Sequence, residues 1–171
     1  MALTSADSPV AGKEVRVESG SWALDVVVAD PADGCLQESV DAEAAWLTAH
    51  ATGGLAFLLC DSSARTVARF VQLLGAGIPV ALIDADLDPA AIAALVGAYR
   101  PEMIFGRPDQ TALSTSHTAV DGLPGVWVGD QGPTMHPSLA VLLTTSGTTG
   151  SPKFVRLSRA NIESNARQIV D

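Results

Sequence analysis

Three short apolar runs separated by two helical stripes constrain the fold of this chain more than any other feature. Leu55-Ala56-Phe57-Leu58-Leu59-Cys60 follows Gly53-Gly54 without polar alternation, as expected of a strand buried on both faces of a sheet. Asp61-Ser62-Ser63 can cap a helix in which Val67, Phe70, Val71 and Leu74 recur at i, i+3, i+4 and i+7, closed by Gly75 and Gly77. Pro79 to Ile83 reads as a second strand. Asp88-Pro89 then supplies an N-cap followed by proline at the first helical position. Ile92, Leu95, Val96 and Tyr99 make that helix's stripe, Pro101 stops it, and Met103-Ile104-Phe105 is a third strand. The β-α-β-α-β order predicts an α/β fold, with a mostly parallel sheet, right-handed crossovers and flanking helices. No Gly-x-Gly-x-x-Gly follows the first strand, so a dinucleotide-binding turn is not indicated.

Composition bounds the rest. The 171 residues suffice for one domain with a real core or for two small lobes. Hydrophobic residues make up 47% and aromatics only 5%, which leaves the core mainly to Ala, Val, Leu and Ile. No stretch approaches the ~18 apolar residues of a membrane helix. The opening Met1 to Asp7 lacks the basic region and apolar core of a signal peptide, so a soluble, cytoplasmic protein is expected. Cys35 and Cys60 are too few for a disulfide framework or a zinc site, and Cys60 reads as a buried small hydrophobe. His50, His117 and His136 show no metal-ligand spacing and read as surface or loop residues, so no metal site is expected. Trp22 to Val28 alternates as a strand, and Val40 to Ala49 reads as a helix. Trp46 on that helix is a core residue or a pocket wall, and packing is the commoner fate of a lone aromatic there. Arg107 to Gly125 is rich in turn residues and is expected to be a loop connecting two lobes.

Function is concentrated near the end of the chain. Leu142 to Lys153 holds two glycines, six hydroxyl side chains and one lysine within a dozen residues, after an apolar strand-like run. Glycines let the backbone turn where a Cβ would clash, leaving main-chain N–H groups to point inward. Hydroxyls add donors and lysine a mobile point charge. Such parts make an anion cradle suited to a nucleotide polyphosphate. A Walker loop needs Gly before its Lys and Ser or Thr after it, whereas Pro152 and Phe154 flank Lys153. Phe154-Val155-Arg156-Leu157 then alternates as a short strand, so the loop is expected to join two strands. A Gly/Ser/Thr-rich surface turn is the alternative; the preceding strand and the Pro-Lys ending argue against it.

The run Thr145-Ser146-Gly147-Thr148-Thr149-Gly150-Ser151-Pro152-Lys153, with Val155, Leu157, Ser158 and Asn161 in step, resembles the phosphate-loop signature of the adenylate-forming (AMP-binding) superfamily. That family includes acyl- and aryl-CoA synthetases, beetle-type luciferases and the adenylation domains of nonribosomal peptide synthetases. The resemblance implies that Ser146, Gly147, Thr148, Thr149, Gly150 and Lys153, with Thr145 leading in, wrap the β- and γ-phosphates of ATP. It also implies catalytic roles for Lys153 and for Thr149, the latter near Mg2+ or the α-phosphate. Two positions depart from the pattern. Many members have Gly where this chain has Phe154, which would restrict how the loop moves. Many have His where it has Arg159, which changes the local charge.

The chemistry so implied is activation of a carboxylic acid by Mg-ATP to an acyl-adenylate, then capture by a thiol of CoA or of the phosphopantetheine on an acyl carrier protein. Charge placement agrees. Residues 1–145 hold six basic and seventeen acidic side chains, net −11, whereas residues 146–171 are net +2 within a total of −9. A locally positive segment suits an anionic ligand, while an acidic chain without basic runs does not suit nucleic acid. The expected organisation is a βαβαβ lobe over about 50–106, and strands, phosphate loop and a helix over about 126–171. Members of the family continue well beyond the equivalent of Asp171, so residues 1–171 are expected to be the opening part of a longer ligase, inactive alone. A short non-catalytic nucleotide-binding or interaction module is the alternative.

Overall fold

The structure is a computed structural model that describes residues 13–19, 22–28, 36–108, 116–130, 132–145 and 153–170. Two antiparallel strands, β1 (Lys13–Ser19) and β2 (Trp22–Val28), form a small sheet of their own. It lies against the helices α1 (Leu36–His50) and α2 (Ala64–Gly75). The remaining strands are β3 (Ala56–Cys60), β4 (Val80–Asp84), β5 (Met103–Phe105), β6 (His117–Ala119), β7 (Val126–Gly129), β8 (Leu139–Thr145) and β9 (Lys153–Ser158). They form one seven-stranded sheet in the order β6-β7-β5-β3-β4-β8-β9. Helices α3 (Pro89–Tyr99) and α4 (Arg159–Val170) complete the element order.

The central strands β5, β3, β4 and β8 run parallel. Antiparallel strands close both edges, β7 and β6 on one side and β9 on the other. The mostly parallel sheet expected from the apolar runs is therefore the centre of the molecule, and the polar or short strands lie at its rims. Side-chain alternation along β3 divides the core. Ala56 and Leu58 face a cluster that includes Leu47, Leu73, Leu74 and Ile78. Leu55, Phe57 and Leu59 face Ile92, Leu95 and Val96 of α3 on the other side.

The helix ends follow local chemistry. Ser63 is the N-cap of α2, and the Asp61 carboxylate accepts from the Ser63 amide at 3.0 Å and the Thr66 hydroxyl at 2.6 Å. Asp88 caps α3 by accepting from the Ala90 amide at 2.7 Å, with Pro89 in the first turn. Arg100 ends that helix in the left-handed region at φ 48°, before Pro101.

Four expectations are corrected. The stripe of α2 is broader than expected: Phe70, Val71 and Leu74 pack as expected, but Val67 is 43% exposed, and Arg69 and Gln72 are buried with Ala68 and Leu73. The cause is Glu43 of α1, itself buried, which draws Arg69 inward. Arg69 Nε and Nη2 donate to the two Glu43 oxygens at 2.8 and 2.6 Å, and Gln72 Nε2 donates to the Val40 carbonyl at 2.6 Å. His117 is a half-buried residue of β6, its Nε2 within 2.9 Å of the Pro101 carbonyl, which makes Nε2 the protonated nitrogen. The stretch expected as a connecting loop thus contains β6, and the strands before and after it share one sheet. Cys60 is half-buried rather than buried. Trp46 packs on the core with one face and stacks on His50 with the other, at 4.9 Å between ring centroids.

Two outcomes follow from these contacts. Glu43→Ala leaves the Arg69 guanidinium buried without its counter-charge, and is expected to lower unfolding stability by about 3–5 kcal/mol. Glu43→Ala with Arg69→Met should recover much of that loss; urea denaturation of both variants measures it. Burial alone would raise the Asp61 carboxyl, but hydrogen bonds from Ser63 and Thr66, aided by Arg107, outweigh it and hold it below its ordinary value of 3.8. Its stabilisation is therefore complete above that value and is lost as pH falls through the lower folded value. Acid titration of unfolding midpoints should show Asp61→Asn losing less stability than the native chain in that range.

Candidate functional site: the hairpin at the rim of the parallel sheet

The parallel strands β3, β4, β5 and β8 all point their C-terminal ends at one rim, the side of an open α/β sheet on which ligands bind. β8 runs to that rim and β9 returns from it. Their register pairs Leu143 with Val155, Thr144 with Phe154 and Thr145 with Lys153. Segment 146–152, expected as a loop between two strands, lies outside the described residues; the strands on either side of it are paired antiparallel. Ser146, Gly147, Thr148, Thr149 and Gly150 lie outside the described residues. Thr145 and Lys153 are placed by their backbone, directly opposite each other at the mouth of the turn.

β9 is fixed at both ends. Near the turn, the Phe154 ring meets Tyr99 of α3 edge-on, with centroids 4.9 Å apart and planes at 86°. Tyr99 in turn meets the fully buried Phe57 of β3 at 6.4 Å. At the far end Ser158 starts α4 through a reciprocal cap. Its amide and hydroxyl donate to Asn161 Oδ1 at 3.0 and 2.7 Å, and its Oγ accepts from the Asn161 amide at 3.2 Å. The Ser and Asn expected at the start of this helix therefore serve each other. Arg159, the second departure from the motif, pairs with Glu163 one turn on at 3.4 Å, on the exposed side of the helix.

Beside β8, β9 and α3 lies an open cleft of about 740 Å³. Tyr99, Met135, Leu142 and Phe154 line its apolar wall, and His136 and Arg156 add polar groups. The Ser138 amide donates to His136 Nδ1 at 3.2 Å, which leaves the ring proton on Nε2. At the same rim, burial pushes the Cys60 thiol above its ordinary value; a hydrogen bond with Ile83 opposes this and Asp61 and Asp84 add to it. A thiol so placed stays protonated at neutral pH and is a poor nucleophile. Among the described residues no three His, Cys, Asp or Glu side chains cluster to hold a metal ion. No described helix is long and apolar enough to cross a membrane.

The sequence reading missed the contact of Phe154 with Tyr99. Both residues stand out locally, Phe154 as a departure from the motif and Tyr99 as the last of a helical stripe, but nothing local pairs them.

A mostly parallel sheet with helices α1 to α4 and antiparallel strands at both edges defines an α/β protein. Residues 34–171 match the family described as AMP-binding enzyme, and the chain belongs to that family. No curated protein matches it. Among solved structures, it is similar to a fatty acyl-adenylate ligase from L. pneumophila in complex with acyl adenylate and pyrophosphate (21% identity, TM-score 0.56, covering 92% of this chain and 30% of that one). It is also similar to apo MatB from Rhodopseudomonas palustris (18%, 0.58, 91% and 34%). VinN in complex with 3-methylaspartate is a third (20%, 0.58, 90% and 46%). The chain thus spans between 30% and 46% of the length of these structures, and at such identities the likeness is one of fold.

Ser158→Ala removes the hydroxyl half of the reciprocal cap, leaving the bond from the residue 158 amide to Asn161 Oδ1, and is expected to cost about 1 kcal/mol of stability. Asn161→Ala removes the other half, the bonds to its Oδ1, so the double variant should cost more than either alone, which thermal unfolding of the three variants measures.

Proposed function

We propose that this chain forms the ATP-handling part of an AMP-forming ligase that activates a carboxylic acid for transfer to a thiol. The observation that carries this reading is the antiparallel register of β8 and β9, which pairs the backbones of Thr145 and Lys153, the two ends of the motif, at the C-terminal rim of the parallel strands. Membership of the AMP-binding enzyme family supports it, as does the fold shared with a ligase that holds acyl adenylate and pyrophosphate.

In the proposed reaction a carboxylate oxygen attacks the α-phosphorus of ATP, and the bond from that phosphorus to the bridging oxygen breaks. Pyrophosphate departs and the acyl-adenylate remains. A thiol of CoA or of carrier-bound phosphopantetheine then takes the acyl group, and AMP departs. Ser146, Gly147, Thr148, Thr149 and Gly150 are assigned to the β- and γ-phosphates, and Lys153 to the charge that grows on the leaving pyrophosphate. Mg2+ belongs to this scheme as part of the substrate Mg-ATP. Mg2+ is commonly held through the phosphates and its own waters.

The test is exchange of labelled pyrophosphate into ATP, driven by a panel of carboxylic acids, on this chain and on the whole gene product. Acid-dependent exchange is expected of the whole gene product and not of residues 1–171 alone, with Lys153→Ala in the whole product lowering it about 10²–10³-fold, as for loss of one group that stabilises transition-state charge. Exchange that does not depend on any acid, or that Lys153→Ala leaves unchanged, overturns the reading. ATP binding without exchange would instead mark a nucleotide-binding module.

A further inference from the structure

We propose that Tyr99 and Phe154 are positioning residues for the phosphate hairpin, so that an aromatic contact outside the motif sets how well the hairpin holds a polyphosphate. The proposal rests on the ATP-handling reading above. β9 is an edge strand, paired with β8 alone, and a strand with one neighbour depends on its side chains for its place. Phe154 is the residue directly after Lys153 and one pair from the mouth of the turn. Its half-buried ring lies edge-on against Tyr99, at 4.9 Å and 86°. Rings in that arrangement attract through their quadrupoles beyond the area they bury.

Tyr99 is itself well held. Its ring stands against Phe57, which is fully buried in β3. Its backbone is in the last turn of α3, where the Arg100 amide closes the helix on the Val96 carbonyl at 2.8 Å. A rigid path therefore runs from the central strand β3 through Tyr99 and Phe154 to the backbone of Lys153. Ordering a residue opposes binding by an entropic term, and an arm already fixed before the ligand arrives removes part of that opposition. Glycine at position 154 could offer no such contact, so in this chain the function of Phe154 is to fix the arm.

The test is calorimetric titration of Mg-pyrophosphate into the full 171-residue chain and its variants, with amide hydrogen exchange in the absence of ligand. Tyr99→Ala and Phe154→Leu are each expected to weaken pyrophosphate about three- to tenfold, and the double variant no more than either, because both remove one contact. Tyr99→Phe, which keeps the ring, should bind like the native chain. Without ligand, Tyr99→Ala should speed exchange at the β8–β9 mouth while the β3–β4 amides keep their protection. A purely structural role would lower the unfolding midpoint and leave the affinity of the folded chain unchanged, and that outcome overturns the proposal. If Lys153→Ala weakens pyrophosphate and Tyr99→Ala does not, the positioning role falls and the ATP-handling reading stands. If Lys153→Ala has no effect either, both fall.

Discussion

The buried ion pair between Glu43 and Arg69 is the contact on which most of the assembly depends. Both side chains are nearly sealed from solvent, at 2% and 3% exposure. Removing two charges from water is unfavourable by several kcal/mol, and the loss is offset only when the geometry satisfies nearly every donor and acceptor. Here it does. Arg69 gives two hydrogen bonds to the carboxylate, one to the Gly106 carbonyl at 2.6 Å and one to the Pro124 carbonyl at 3.1 Å. Its guanidinium also lies 5.6 Å from the centre of the Phe105 ring. One side chain of α2 thus joins α1, the end of β5 and the turn that leads into β7.

That junction explains why the sheet can reverse direction at β7. A buried carbonyl without a donor is costly, and the buried Gly106 carbonyl after β5 and the Pro124 carbonyl before β7 come together at the Arg69 guanidinium. Arg69 satisfies both. The chain closes so tightly there that a Cβ at position 125 would lie 2.3 Å from the Gly106 oxygen, and Gly125 also has φ 78°. Glu102 has a similar task at the opposite rim. Its buried carboxylate accepts from the Thr52 hydroxyl at 2.6 Å and the Gly54 amide at 3.0 Å, tying the entrance of β3 to that of β5. Two buried acids, one at each end of β5, therefore hold the half of the sheet that lies away from the hairpin.

What the sequence disclosed follows from how each element is stabilised. β3, β4 and β5 were legible because strands buried on both faces must be apolar throughout. The caps at Ser63 and Asp88 were legible because capping is local. β6 was not, since His117, Thr118 and Ala119 form a short edge strand with little apolar burial. The face of α2 was misjudged for a different reason: polar residues count as solvent-facing in any periodicity, and Arg69 and Gln72 are buried by partners 26 and 32 residues away. At the candidate site, the motif and its strand-to-strand setting could be read directly. The ring contact behind Phe154 could not, because it is made with a residue of α3 that precedes it by several elements.

An edge hairpin is an economical way to hold a phosphate loop, and β9 shows how its base is made firm. Going back from α4, Ser158 is bound into the reciprocal cap with Asn161. Leu157 packs on the core cluster on one face of the sheet, and Phe154 packs on the cluster around α3 on the other. Val155 between them is 45% exposed and contributes little. The anchors thus alternate between the two faces, and opposing packing resists tilting of the strand in a way that anchors on one face would not. Lys153 is the first residue beyond the last anchor, its backbone still registered against Thr145. The anchor at Phe154 thus adjoins the residue whose charge the proposed reaction uses.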